Sequence, residues 1–127
     1  MNIGVAYDNG QIARNLGECR RFLIVSTDGM MPTGKRIAEV NGTAVTDMVK
    51  AMSMEQIDVL ICGHMHRYDV IMPGDGEDIY GQKFPVVVGS SRTKENGLTG
   101  AAIDMDKNGL RVRMTGPDGA VQMEKRI

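Results

Sequence analysis

The sequence predicts an α/β fold, with a mixed sheet and one main helix in its first half and an antiparallel β meander in its second. Three observations predict it. Short apolar runs broken by Gly, Asn and Asp turns fill most of the chain, and its sixteen glycines favour strands over a helix bundle. Residues 43–54 place Val45, Met48, Val49 and Met52 at helical spacing on one face. Two hairpin turn sequences, Asp106-Lys107-Asn108-Gly109 and Gly116-Pro117-Asp118-Gly119, punctuate the end of the chain.

Taken in order, residues 2–7 read as a first strand, closed by the turn signal Asp8-Asn9-Gly10. Residues 20–26 read as a second, closed by Asp28-Gly29. Residues 30–42, with Pro32, Gly34 and Gly42, read mostly as connection with a short strand at 36–40. Thr43 is the expected cap of the helix. The apolar run 57–62 follows as a buried strand, and the helix between lets it lie parallel to the first. Residues 67–72 alternate before the break at Pro73-Gly74. Residues 84–88 form a strand whose Pro85 sits near its start, where a missing N–H is tolerated. Residues 100–105, 110–115 and 120–125 are the three segments of the meander. No linker separates the α/β half (1–63) from the β-rich half (64–127), so one compact domain is expected.

The 127 residues suit one domain. A net charge of −1 makes no electrostatic case for nucleic acid or an anionic membrane. No run approaches the ~20 apolar residues of a membrane helix, and the first residues show no signal-peptide pattern, so a cytoplasmic protein is expected. Cys19 and Cys62 form no metal or redox spacing motif and are expected as reduced thiols. Eleven Met and no Trp indicate a core filled by flexible thioethers.

Both histidines stand in Gly63-His64-Met65-His66, straight after the apolar run ending in Cys62. Imidazole is the commonest side-chain metal ligand, and Gly63 lets the chain turn so that the following side chains meet a cleft. If the first strand and the strand at 57–62 are parallel neighbours, Asp8 lies at the same sheet edge as His64, where α/β ligands bind. One cation held by Asp8, His64 and His66 then follows. Asp8 also reads as a turn former, and Asp28 does so on the same argument. Ser90-Ser91-Arg92-Thr93-Lys94 can donate to an anion or be a solvated connection.

Residues 57–127 resemble the C-terminal portion of calcineurin-like metallophosphoesterases. The likeness rests on Asp58-Val59-Leu60-Ile61-Cys62, on Gly63-His64-Met65-His66-Arg67-Tyr68, on Phe84-Pro85-Val86-Val87-Val88-Gly89 and on the closing meander. The resemblance implies metal-dependent hydrolysis of a small phosphoester, with His64 and His66 as ligands of a divalent metal (Mn, Fe or Zn). That family's other ligands, an Asp-x-His, a second Asp, an Asn-His pair and a further His, have no counterpart here, since no histidine precedes His64. The expected active site is therefore incomplete within one chain. A second copy or a partner chain is one source of the missing ligands.

Residues 1–63 resemble the dinitrogenase iron–molybdenum cofactor biosynthesis family. Here the likeness rests on the run from Met1 to Ile12, on Leu16-Gly17, on Phe22-Leu23-Ile24-Val25, on Asn41-Gly42-Thr43 and on the strand ending at Cys62-Gly63. It implies an RNase H-like α/β domain that carries a metal or metal–sulfur cofactor. Asn15 stands where that family has a His. Cys19 and Cys62 with the His pair are a candidate soft-metal set. A phosphoester hydrolase, a metal- or cofactor-carrying domain, and a folded domain without activity are the three readings.

Overall fold

A computed structural model describes residues 1–12, 19–62, 69–75, 81–88, 100–116 and 118–127. Strands β1 (Asn2–Asp8), β2 (Gln11–Ile12), β3 (Arg21–Asp28) and β4 (Met31–Glu39) precede helix α1 (Val45–Met54). Strands β5 (Val59–Cys62), β6 (Asp69–Ile71), β7 (Val86–Val88), β8 (Gly100–Asp106), β9 (Gly109–Thr115) and β10 (Val121–Arg126) complete the order. A seven-stranded mixed sheet runs β4-β3-β1-β5-β7-β6 with β2 attached to β1, and β10-β9-β8 form a separate antiparallel sheet. The α/β class, the single main helix and the closing meander are those the sequence predicts.

Side-chain alternation puts the sheet in the middle of three layers. On β5, Leu60 and Cys62 point to the core beneath α1, with Phe22, Ile24, Met48 and Met52. Val59 and Ile61 point the other way, and Val59 packs with Val87, Leu110, Val112 and Met114 beneath the meander. Strand β7 divides in the same manner, Val86 and Val88 toward α1 and Val87 toward β9. A strand covered on both faces has no polar side to show, so 57–62 and 84–88 read as continuous apolar runs. On β9, by contrast, Leu110, Val112 and Met114 are buried while Arg111 and Arg113 alternate outward.

The chain path decides where a site can form. From β1 it turns back antiparallel as β3 (Val5↔Leu23) and again as β4, building outward to one edge. Helix α1 then returns it to the other side of β1, where β5 runs parallel (Ile3↔Val59, Val5↔Ile61). Asp58 fixes that register: its carboxylate accepts from the Asn2 N–H at 2.6 Å, and its own N–H donates to the Asn2 carbonyl at 2.9 Å. The strand order thus reverses between β1 and β5.

Two sequence expectations need correction. Residues 31–35 are strand, not connection: β4 pairs with β3 from Arg21↔Glu39 to Asp28↔Met31. Of its residues only Ala38 is buried, so the apolar alternation that marks a strand is missing. A bulge opposite Ser26 and Thr27 accommodates Pro32, which has no N–H to give a ladder. The helix cap is Ala44, not Thr43. An alanine side chain cannot accept a hydrogen bond, and Asp47 does the work from inside the first turn by accepting from the Ala44 N–H at 3.1 Å. Gly42 makes room for it, since a Cβ there would come within 2.3 Å of Asp47 Oδ2 and the backbone sits at φ +111°.

Candidate metal centre

Strands β1 and β5 are parallel, so both end at one edge of the sheet. With Val5 opposite Ile61, one further step sets Ala6 level with Cys62, the last residue of β5. Strand β1 continues to Asp8, and Gly63-His64-Met65-His66 follows Cys62 in the chain. Asp8 and the start of the histidine sequence therefore leave neighbouring strands at the same edge, where the strand order reverses. In open α/β sheets that crevice beyond the carboxyl ends is where ligands bind. His64 and His66 themselves lie outside the described residues, as do residues 90–94.

The β1–β2 hairpin pairs Asp8 with Gln11, and the two residues between, Asn9 (φ 46°) and Gly10 (φ 87°), take the positive φ that this tight turn requires. Asp8 is the first residue of that four-residue turn, as its turn-former reading expects, and also the last residue of β1. Asp28 ends β3, which is antiparallel to β1, so it lies at the opposite edge beside the Gly29 turn (φ 57°) and cannot join the set.

Both cysteines belong to the core under α1. The Cys19 thiol donates to the Arg21 carbonyl at 2.9 Å. Burial pushes the Cys62 thiol up to about 12, so without a bound metal it carries its proton at neutral pH. Among the described residues no group of three His, Cys, Asp or Glu converges as a metal site. The Asp75 carboxylate accepts from the Met72 N–H at 2.8 Å in a local turn.

The state of Cys62 has a direct readout. At pH 8 an aromatic disulfide reagent is expected to leave Cys62 unmodified in the folded protein and to titrate both thiols after denaturation; fast modification of Cys62 would mean it is not in the core. Because its folded value is raised above the ordinary 9.0, its contribution to stability is complete below about pH 9 and fades as pH rises toward about 12.

A feature the sequence does not announce lies on the outer face of the meander. Arg111 and Arg113 both donate to the Asp104 carboxylate, at 3.2 and 2.7 Å, while Arg126 pairs with Asp106 at 2.8 Å. Partial burial raises the Asp104 carboxyl, and the two guanidinium groups more than offset it, leaving a value below the usual range. The hydrogen bonds from Arg126 and from the Asn108 N–H hold Asp106 at about 2. These pairs join the three meander strands. Only strand register, unknown before folding, brings Asp104 opposite Arg111.

No protein-family model matches this chain, and no curated protein matches it. Among solved structures it is similar to the crystal structure of PH0822, with a TM-score of 0.50 and 17% identity, over 70% of this chain and 78% of that one. At that identity the likeness concerns the fold alone. Among the described residues no helix is long and apolar enough to cross a membrane.

Proposed function

We propose that this chain is a small metal-carrying α/β domain in which Asp8, His64 and His66 hold one divalent cation of the Mn, Fe or Zn class. The observation that carries the reading is the reversal of strand order between β1 and β5, with Asp8 at the end of one and the histidine sequence directly after the other. A carboxylate with two imidazoles is a donor set suited to such an ion. The three residues named are too few to hold two ions, so the reading commits to a single one.

Calorimetry with Mn²⁺ tests it. Micromolar binding is expected for the unaltered protein and none for His64→Ala/His66→Ala. Asp8→Ala should weaken binding by roughly tenfold or more, about 1.4 kcal/mol. Thermal unfolding without metal should be nearly unchanged in both variants and in His64→Ala alone. No binding by the unaltered protein would overturn the proposal, and a large loss of metal-free stability in His64→Ala would assign that histidine to packing instead.

A second reading, phosphoester hydrolysis at the same residues, draws on β7 and the β8–β10 meander, the segments that carry the metallophosphoesterase resemblance. A bound divalent cation would supply Lewis acidity toward a phosphoryl oxygen. In that role His64 and His66 orient the substrate by holding the ion, and Asp8 adds the one acidic ligand of the set. This reading alone expects Mn²⁺-dependent cleavage of an aryl phosphodiester that His64→Ala abolishes.

A further inference from the structure

Strand β4 ends the main sheet with its outer side unpaired among the described residues. We propose that a second copy of this chain pairs there, antiparallel, with Ile37 opposite Ile37 of the partner subunit about a twofold axis.

The donors on that edge follow from the pairing inside it. The Val40 N–H donates to the Arg20 carbonyl at 2.8 Å, so positions 40, 38 and 36 turn their backbone groups toward β3. Hydrogen-bonded and non-bonded pairs alternate in an antiparallel ladder. Lys35, Ile37 and Glu39 therefore direct N–H and C=O outward. A long edge with free main-chain groups is a template for strand addition.

Charge narrows the register. A twofold axis perpendicular to the sheet keeps paired residues on one face, so the axis must pass midway between a residue of β4 and its own copy. Centred on Lys35 it sets Lys35 against its own copy, and centred on Arg36 it does the same for that arginine; like charges directly opposite are unfavourable. Centred on Gly34 it draws Pro32, which lacks an N–H, into the ladder. Centred on Ile37 it sets Lys35 across from Glu39 of the partner subunit, and the reverse, with the two isoleucines between them. Ile37 is 42% exposed, one of the few large apolar side chains so placed. Glu39 already faces Arg21 at 3.6 Å, so the pairing would put a second cation beside it. Arg36, committed to the Glu55 carboxylate at 2.9 Å on the other face, stays out of the contact. Lysine and arginine on an edge also serve to repel such pairing; here Glu39 stands at the spacing that turns Lys35 from a guard into a partner.

Sedimentation velocity on the full chain separates these outcomes. The unaltered protein is expected to approach twice 13.8 kDa as concentration rises into the micromolar range. Lys35→Glu and Glu39→Lys, each placing like charges across both symmetric positions, should return it to the monomer mass, and the double swap Lys35→Glu/Glu39→Lys should restore the dimer. Circular dichroism checks that each variant is folded. A monomer at all concentrations would overturn the proposal, as would a dimer indifferent to both single swaps or one that the double swap fails to recover.

Discussion

Replacing Phe22 by alanine is expected to lower the stability of this protein by about 3–5 kcal/mol, a large part of the 5–15 kcal/mol typical of a domain. Phe22 is fully buried on β3. Its ladder partners are Ala6 on β1 and Ala38 on β4, two small residues that leave width for one ring under α1. Neither alanine can grow into the space, and hydrogen-bonded strands on both sides prevent the backbone from closing it. Met48 and Met52, flexible side chains from the helix, are the groups able to recover some contact. Urea denaturation followed by circular dichroism reads the shift in midpoint; a loss below about 1 kcal/mol would mean that α1 is not seated on this face.

Met114→Ala is expected to cost about 2–5 kcal/mol on the opposite face. Met114 is fully buried between β9 and the main sheet, in the cluster of Val59, Val87, Leu110 and Val112. The value of the substitution lies in what else changes. Strands β5 and β7 place alternate residues in both clusters, so one set of backbones supports both cores. A single unfolding transition, shifted for every probe, is the expected result, and two separated transitions would show the meander melting by itself. The two substitutions share no contact cluster, so their effects should add within about 0.5 kcal/mol in the double variant.

Much of the candidate site is legible before folding. The histidine pair stands after an apolar run, and both the run and the helix before it carry their signals in side-chain pattern. The parallel placement of β1 and β5 follows from that helix, and with it the common edge of Asp8 and the histidine sequence. Legibility fails where side-chain burial is weak. Strand β4 exposes nearly every residue, so its pairing with β3 is a backbone property that the side chains do not advertise. The cap fails for a related reason, because Asp47 reaches back to Ala44 and the sequence signal points instead to the hydroxyl of Thr43.

The sequence by itself determined the α/β class, the helix and the meander, and it named the candidate metal ligands, because each rests on a local period or on chemistry that a residue carries anywhere. Only the tertiary structure decided that the meander covers the face opposite α1, that the strand order reverses between β1 and β5, and that β4 is the end strand of the main sheet among the described residues. Those facts depend on which strands pair over long separations, and pairing is chosen by the joint burial of both faces of β5 and β7 rather than by any one segment.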